Sequence, residues 1–324
     1  MFKNLIIGHG GYGTVFFGID FIHAKQIAIK VSNEERKIKS LNKEIDIMNK
    51  LTKYKTLSKL YEKLQLKNQL YLFETLQGPD LSKLKNFNDG KFSIISVYKI
   101  GIEILRCLKL IHKIGYLYID LKENNVAMLV KPLEYLKQTF NLILIDFGFC
   151  EEFNKDKNKS PKKYGHSSYA SINALKDNNI SRKDDLICFC YFLLNLYIGY
   201  LPWDDIKNDN NKNEEIIKMK EKYSIKNLCG NNAKEIYFIY KDVDSLKFNE
   251  VPNYDNYIYL LENYVKLNTG KSVNDMLFDW EKRIKEQIKY YSGIKNYLKR
   301  DNKILALFEG YPAFYVEKIL EKYN

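Results

Sequence analysis

The sequence predicts an α+β protein with a small β-rich front part and a larger, mainly helical back part. Up to about residue 80, short runs rich in β-branched and aromatic residues are bounded by turn residues, which is typical of strands. Beyond that point, apolar residues recur at spacings of three and four, the period of amphipathic helices. With only 6 Pro and 16 Gly in 324 residues, the chain has little material for long flexible linkers. We therefore expect two adjoining lobes, residues 1–79 and residues 80–324, with a cleft between them.

The front part contains one predicted helix among predicted strands. The strands are expected at residues 5–7, 14–18, 26–31 and 70–75. The helix is expected over residues 32–51, where apolar residues recur at helical spacing. Ser32 and Glu35 form a capping-box signal at the start of this helix.

The back part contains mostly predicted helices. They are expected at residues 94–114, 184–200, 254–267 and 275–291, with two short strands at residues 126–130 and 142–145. The longest apolar stretch, residues 187–203, contains Asn195 and Gly199 and is marginal in length for a membrane span. We therefore expect a buried core helix there and no membrane-spanning segment.

Charge and cysteine content limit which partners and which cellular compartment are expected. The net charge of +12 favours nucleic acid, anionic membranes or acidic proteins as partners, but it selects none of them. A nucleic-acid role would rest on this charge alone. The 5 cysteines include no CxxC pair, which fits a reducing compartment better than a disulfide framework or a zinc site. The N-terminal apolar run is too short for a signal peptide. We expect a soluble, monomeric protein inside the cell, in the cytoplasm or the nucleus.

A glycine-rich segment near the N-terminus is the first candidate binding element. It consists of Gly8, His9, Gly10, Gly11, Tyr12 and Gly13. Glycines let backbone N–H groups approach phosphates, because no Cβ is in the way. In a dinucleotide-binding fold the glycines would open a helix, whereas the strand-like residues 15–17 follow here. A plain hairpin turn would use the same glycines, but the context favours a glycine-rich β-hairpin that covers a bound nucleotide.

Lys30 and Glu44 form the second candidate element. Lys30 lies at the end of an apolar strand, and Glu44 lies on the inward-facing stripe of the predicted helix. A strand lysine paired with a glutamate on a facing helix is placed at the α- and β-phosphates of a nucleotide. An isolated lysine there would be a solvated strand end. Glu34 and Glu35 are rival partners, but they lie in the first helical turn, where they would cap the helix.

The third candidate element carries the reacting groups. Asp120, Lys122 and Asn125 form a D-x-K-x-x-N pattern. Phosphoryl transfer to a hydroxyl needs a carboxylate as base, a cation beside the phosphoryl group, and an amide oxygen for a metal ion. The buried strand at residues 142–145 then delivers Asp146, the expected ligand of a Mg²⁺ ion that bridges the β- and γ-phosphates of ATP.

In this order the motifs resemble the protein kinase superfamily, and finer features resemble casein kinase 1. The segments similar to that family are Gly78-Pro79-Asp80-Leu81, Tyr169-Ala170-Ser171-Ile172-Asn173, Ser181-Arg182-Lys183-Asp184-Asp185-Leu186, Leu201-Pro202-Trp203 and Phe278-Asp279-Trp280. The vaccinia-related kinases, a sister group, have Asp-Tyr-Gly where this chain has Asp146-Phe147-Gly148. The resemblance covers about residues 4–282. It implies a bilobal kinase fold and a serine/threonine protein kinase that uses ATP and Mg²⁺.

The resemblance implies further residues of the nucleotide site. The roof of the adenine pocket would be formed by Ile7, Val15 and Ala28, and its floor by Ala127. The backbone of Glu74 and of Leu76 would bind adenine, with a register open by one residue around 73–77. Asp185, on a buried helix, would anchor the backbone of the catalytic loop. Lys122 would mark the serine/threonine type of kinase.

Two departures from the family pattern change the expectations. Ile119 stands where kinases usually carry the arginine that pairs with a phosphorylated activation loop, so we expect activity without such phosphorylation. Ser168 stands where casein kinase 1 has an arginine that binds a phosphate already on the substrate, which weakens the expectation of phosphate-primed sites. A lysine-rich stretch still favours acidic substrates, unless it is only a solvated loop. Its members are Lys155, Lys157, Lys159, Lys162 and Lys163.

Two other readings of the sequence stay open. A pseudokinase would use the same fold as a nucleotide-binding or scaffold module. The altered Tyr118-Ile119 segment and an extra residue before Gly78 leave this alternative open, whereas retention of every phosphate- and metal-handling side chain argues against it. A small-molecule phosphotransferase of related fold is disfavoured by the casein kinase 1 motifs. The helical C-terminal extension from about residue 283 is expected to form helices at 294–308 and 313–320 and to pack on the helical lobe. An inhibitory or partner-docking tail is the alternative.

Overall fold

The computed structural model describes residues 5–10, 13–51, 59–129, 141–162, 164–206 and 211–323. Contacts divide the chain into two compact units. The sheet unit comprises residues 1–87, 126–148 and 280–324, and the helical unit comprises residues 88–125 and 149–279. The division expected from the sequence placed every residue after 79 in the helical part. The contacts instead place residues 80–87, 126–148 and 280–324 in the sheet unit.

Strands and helices follow in this order along the described chain. The strands are β1 Ile6–Gly10, β2 Gly13–Asp20, β3 Lys25–Ser32, β4 Leu60–Leu66, β5 Gln69–Thr75, β6 Tyr116–Leu117, β7 Val126–Met128, β8 Leu142–Leu144 and β9 Glu151–Glu152. The helices are α1 Glu35–Leu51, α2 Leu81–Phe87, α3 Ile94–Lys113, α4 Ile172–Leu175, α5 Arg182–Ile198, α6 Lys212–Lys222, α7 Ile225–Cys229, α8 Lys234–Ser245, α9 Tyr254–Thr269, α10 Asp279–Tyr290, α11 Ile294–Arg300, α12 Asn302–Leu307 and α13 Ala313–Leu320. The predicted β-rich front part and helical back part are confirmed.

An antiparallel sheet in the order β1-β2-β3-β5-β4 forms the frame of the sheet unit. Helix α1 packs on this sheet through Leu41 and Ile45, which form a buried cluster with Leu70 and Leu72 of β5. The apolar stripe of the helix is therefore buried as its spacing predicts. The predicted capping box is wrong, because Ser32 ends β3 and its buried Oγ has no hydrogen-bond partner.

The chain returns to the sheet unit at β7 and β8. These strands pair with each other, and Ala127 of β7 also forms an isolated bridge with Asp80. The Gly78 N–H donates to the carbonyl oxygen of Met128 at 2.8 Å, and the Met128 N–H donates to that of Pro79 at 3.0 Å. Strands β7 and β8 therefore group with the sheet, because β7 pairs with the segment that follows β5.

The helical unit is centred on α3 and α5. Helix α3 begins at Ser93, whose side chain accepts from the Ser96 N–H, and it packs on α9 and α5. Helix α5 begins with a capping box formed by Ser181 and Asp184 and is buried along most of its length. The prediction of a buried core helix at the longest apolar run is confirmed. Among the described residues, no helix is long and apolar enough to cross a membrane.

The cysteines are free thiols buried in the fold. They are Cys107, Cys150, Cys188, Cys190 and Cys229. Burial raises the pKa of Cys188 and Cys190, which keeps both as unreactive thiols at neutral pH. The expectation of inert thiols rather than a disulfide framework is confirmed for these residues.

Candidate active site

Lys30 lies in a buried ionic cluster of the sheet unit. Strand β3 carries Lys30, and α1 carries Glu44 on the face turned to the sheet. The Lys30 Nζ donates to Glu44 Oε2 at 2.7 Å and lies 3.7 Å from Asp146 Oδ1. Burial alone would lower the pKa of Lys30, but the carboxylates of Glu44 and Asp146 outweigh burial and raise it. The ammonium group is therefore held charged beside two acids.

Glu44 also contacts the backbone that follows Asp146. Its Oε1 accepts the Phe147 N–H at 3.4 Å, so one glutamate connects β3 to the segment after β8. Asp146 has a positive φ of 62°, and its Oδ1 accepts the Gly148 N–H at 3.3 Å. A left-handed Asp is uncommon and is typical of a backbone bent for a functional reason. The bend places the Asp146 carboxylate beside Lys30.

The glycine-rich segment forms a hairpin between β1 and β2. Gly10 pairs with Gly13, and Gly8 pairs with Val15. A Cβ on Gly13 would overlap the carbonyl oxygen of Val31, so only glycine fits there. The predicted residues Ile7, Gly8, His9, Gly10, Gly13 and Val15 lie in these two strands, whereas Gly11 and Tyr12 lie outside the described residues. A strand follows the glycines, as predicted, and not the helix of a dinucleotide-binding fold.

Other predicted pocket residues lie on strands of the same unit. Ala28 is buried in β3, and Ala127 is buried in β7. Leu76 is buried directly after β5. Backbone contacts of Glu74 and Leu76 with adenine remain predictions.

Glu74 has a side-chain environment that sequence reasoning missed. It pairs with Ala28 in the β3–β5 ladder, on the same face of β5 as Leu72, which pairs with Lys30. This register places the half-buried carboxyl diagonally across from Lys30. Burial, with the charges of Glu44 and Asp146, raises the pKa of Glu74 to about 8. The carboxyl is therefore mostly protonated at neutral pH. It adds no third negative charge to those of Glu44 and Asp146 around Lys30.

The helical unit brings together the three residues of the D-x-K-x-x-N pattern. The buried Asp120 Oδ2 accepts from Lys122 Nζ at 2.7 Å and from Asn125 Nδ2 at 2.8 Å. Asn125 Nδ2 also donates to the Asp120 carbonyl oxygen at 2.8 Å. The amide nitrogen thus fixes the carboxylate, and the amide oxygen is the atom suited to a metal ion. This arrangement holds the Asp120 carboxylate beside the Lys122 ammonium group.

Asp185 anchors this loop, as the resemblance implies. Its two carboxylate oxygens accept the N–H groups of Tyr118 and Ile119, at 2.7 and 2.8 Å. His112 Nε2 lies 2.8 Å from the same carboxylate. Ile119 has a positive φ of 72°, which costs a β-branched residue on the order of 1–3 kcal/mol. The buried Asp185 carboxylate therefore holds a strained backbone directly before Asp120.

Gly165 lies against Asp120, a contact that sequence reasoning missed. Its N–H donates to the Ile119 carbonyl oxygen at 3.4 Å. A Cβ at this position would overlap Asp120 Oδ1 and lie 2.7 Å from Asp120 Cα. The segment around residue 165 therefore confines the Asp120 carboxylate from one side. A single glycine in a sequence gives no signal of such a long-range contact.

Residues 168–170 are fixed by groups from three other segments. The Tyr169 hydroxyl donates to Glu123 Oε1 at 2.9 Å, and the Trp203 indole donates to the Ser168 carbonyl oxygen at 2.8 Å. The buried Lys220 Nζ donates to the Ala170 carbonyl oxygen and lies 4.0 Å from the ring centre of Tyr191. Trp203 of the casein kinase 1-like segment 201–203 therefore bonds the residue directly before the segment 169–173, and Lys220 adds a partner that the sequence did not single out.

The acids of the described residues do not form a preformed metal cage. No group of three His, Cys, Asp or Glu side chains among them is arranged to hold a metal ion. Asn125 and Asp146 are oxygen donors of the kind that Mg²⁺ prefers, and Mg²⁺ usually takes few protein ligands with phosphate oxygens and water. Each of these side chains, taken by itself, therefore suits a Mg²⁺ ion that arrives with a nucleotide.

Comparison with known proteins gives the family. The protein kinase domain model matches residues 3–278. A probable serine/threonine-protein kinase of Dictyostelium discoideum is 31% identical over 283 residues, covering 85% of this chain and 55% of the relative. Casein kinase I homolog 2 of Schizosaccharomyces pombe is 28% identical over 284 residues, covering 85% of this chain and 64% of the relative. Casein kinase I homolog 1 of Saccharomyces cerevisiae is 27% identical over 285 residues, covering 85% and 52%.

The chain belongs to the protein kinase family. The predicted resemblance to casein kinase 1 and the predicted fold class are confirmed by these matches. The chain spans between about half and two thirds of the length of the relatives named here.

Proposed function

We propose that the protein is a serine/threonine protein kinase of casein kinase 1 type. It transfers the γ-phosphoryl group of ATP, with Mg²⁺, to serine and threonine hydroxyls of proteins. The observation that carries the proposal is the hydrogen-bonded set Asp120, Lys122 and Asn125. One carboxylate that both a lysine and an asparagine hold is suited to orienting a hydroxyl beside a phosphoryl group.

The residues of the helical unit act on the acceptor and on the transferred group. Asp120 orients the acceptor hydroxyl and takes its proton as the new P–O bond forms. The bond between the γ-phosphorus and the β,γ-bridging oxygen breaks, and ADP leaves. Lys122 neutralises charge on the γ-phosphoryl oxygens. Asn125 supplies its amide oxygen to the metal. The strained backbone at Ile119, which Asp185 holds, fixes the direction of the Asp120 side chain.

The residues of the sheet unit act on the nucleotide. Lys30, which Glu44 holds in place, binds the α- and β-phosphates, and Asp146 supplies a carboxylate to the metal. A Mg²⁺ ion held there would supply positive charge to the phosphates of ATP. The glycine-rich hairpin covers the phosphates with backbone N–H groups.

The test is transfer of labelled phosphate from Mg·ATP to casein, an acidic acceptor of the expected kind. We expect phosphoserine or phosphothreonine on casein with the wild-type protein and background transfer with Lys30→Met. Lys266→Met, the same change at an exposed position of α9, serves as the matched control and retains the wild-type rate.

Removal of the Lys30 charge leaves two acids without their counter-charge, so the fold of the variant is checked by thermal unfolding. ATP binding by the wild-type protein without any transfer to casein or other protein acceptors would identify a pseudokinase and contradict the proposal. Transfer by Lys30→Met at the wild-type rate would remove Lys30 from the site.

A further inference from the structure

The C-terminal segment, residues 294–323, lies beyond the part of the chain that matches the kinase domain model, residues 3–278. It forms the helices α11, α12 and α13. The sequence led us to expect it on the helical lobe, but its contacts group it with the sheet unit. There α12 lies against α2, and other residues of the segment contact β1, β2 and the linker after β5. These contacts concern the same elements that the proposed function assigns to the nucleotide.

Gly310 brings the backbone of this segment directly against β1. Its φ is +83°, a conformation that favours glycine. A Cβ at this position would overlap the Ile6 carbonyl oxygen and lie 3.0 Å from Ile7 Cα. β1 is an edge strand of the sheet, and Ile7 is a predicted roof residue of the adenine pocket. The segment therefore packs on the strand that leads into the glycine-rich hairpin.

Tyr311 connects the segment to the linker after β5. Its hydroxyl donates to the Gln77 carbonyl oxygen at 2.8 Å. Its ring stacks on Tyr315, with ring centres 5.8 Å apart and planes 7° apart. Gln77 directly follows Leu76, a predicted adenine contact, and precedes Gly78. One tyrosine thus fixes the carbonyl next to the expected adenine position.

Phe17 of β2 receives two aromatic side chains of the segment. The ring of Tyr315 meets it edge-on at 5.4 Å between centres, and that of Phe314 at 6.3 Å. Phe17 is 2% exposed, so these rings complete its burial. Edge-to-face aromatic pairs of this kind stabilise a contact beyond what burial of their area alone supplies. The segment therefore holds β1, β2 and the linker at once.

We propose that residues 310–315 are a positioning element for nucleotide binding, because they fix the base of the glycine-rich hairpin relative to the linker at residue 77. The inference rests on the proposed function, in which ATP binds under β1 and β2 and beside residue 76. A hairpin that is already ordered loses less conformational entropy when ATP binds, which strengthens the affinity for ATP. The segment makes no chemical contribution, so it acts on ATP affinity and not on the transfer step.

The experiment measures ATP affinity and steady-state kinetics in two matched pairs of variants. Tyr311→Phe removes only the hydroxyl that bonds Gln77, and Tyr290→Phe makes the same change at a site that is 78% exposed. Gly310→Ala adds a Cβ against Ile6, and Gly293→Ala adds one at another positive φ with nothing within 4 Å. We expect the Kd and KM for ATP to rise about 3- to 10-fold in Tyr311→Phe and at least as much in Gly310→Ala. We expect kcat and the KM for casein to stay unchanged, and both controls to match the wild type.

Each other outcome contradicts the inference in a recognisable way. A lower unfolding temperature with unchanged ATP affinity, measured where the variants are folded, would make the contacts merely structural. Tighter ATP binding in Gly310→Ala would make the segment an obstruction to the site. A wild-type protein that binds no ATP would overturn the proposed function, and the inference with it. Hydrogen exchange of the β1 amides, faster in Gly310→Ala than in Gly293→Ala, separates loss of this contact from general destabilisation.

Discussion

Asp120→Asn is expected to lower kcat for casein phosphorylation by about 10²–10⁴-fold. The carboxamide has the shape of the carboxylate, but it cannot take the proton of the acceptor hydroxyl. It also places an N–H₂ group or a weaker acceptor opposite the donors Lys122 and Asn125. ATP affinity is expected to change little, because the carboxylate acts on the acceptor. Steady-state kinetics and ATP binding by calorimetry measure both quantities.

Asp275→Asn provides the matched control for this change. Asp275 is exposed in the helical unit, and its replacement leaves the proposed chemistry untouched. We expect the wild-type kcat from this variant. An Asp120→Asn protein with the same kcat as the control would take Asp120 out of the reaction.

Gly165→Ala is expected to lower kcat by about 10²-fold, with ATP affinity unchanged. Gly165 is not in the left-handed region, so alanine has no backbone strain there. The added Cβ would instead overlap the Asp120 carboxylate and press on Asp120 Cα. A displacement of about 1 Å at a reacting group is sufficient for a loss of this size. Kinetics with saturating ATP measure the effect.

Gly270→Ala separates the contact from the addition of a methyl group. Gly270 has a φ of +70° with nothing within 4 Å of a Cβ, so this variant loses about 1–2 kcal/mol of stability through its backbone and keeps its kcat. A wild-type kcat for Gly165→Ala would show that the segment at residue 165 does not confine Asp120 during the reaction.

Elements with a strong burial pattern were predictable from the sequence. The apolar stripe of α1 predicted that helix, because one of its faces is buried against the sheet. The long apolar run of α5 predicted the second helix, because most of its faces are buried. Strand β4, Leu60–Leu66, was missed, because it is an edge strand whose residues after Leu60 are exposed. Without a buried face, its mixture of Glu62, Lys63 and Gln65 carries no period-two signal.

Local capping was less predictable than the helices themselves. The expected single helix at 294–308 is two helices, α11 and α12. Asp301 divides them, because its side chain accepts the N–H groups of Lys303 and Ile304 and starts a new helix. An aspartate within an apolar pattern gives only a weak indication of this break.

In the candidate site, too, some residues were predictable from the sequence and others were not. The D-x-K-x-x-N pattern already indicates that Asp120, Lys122 and Asn125 lie close together, because the three residues lie on one loop. Gly165 and Glu74 were missed because their partners lie far along the chain. Their roles follow from strand register and loop packing, and neither is encoded within a few neighbouring residues.

We propose above that Asn125 and Asp146 each supply an oxygen ligand to the Mg²⁺ ion of Mg·ATP, and this is the part of the proposed function on which the others depend. Calorimetric ATP titration with and without Mg²⁺, in wild type, Asn125→Ala and Asp146→Ala, tests this claim most directly. We predict that Mg²⁺ tightens ATP binding in the wild type and that most of this gain is lost in each variant. Full Mg²⁺-dependent tightening in either variant, with the fold intact, would contradict the claim.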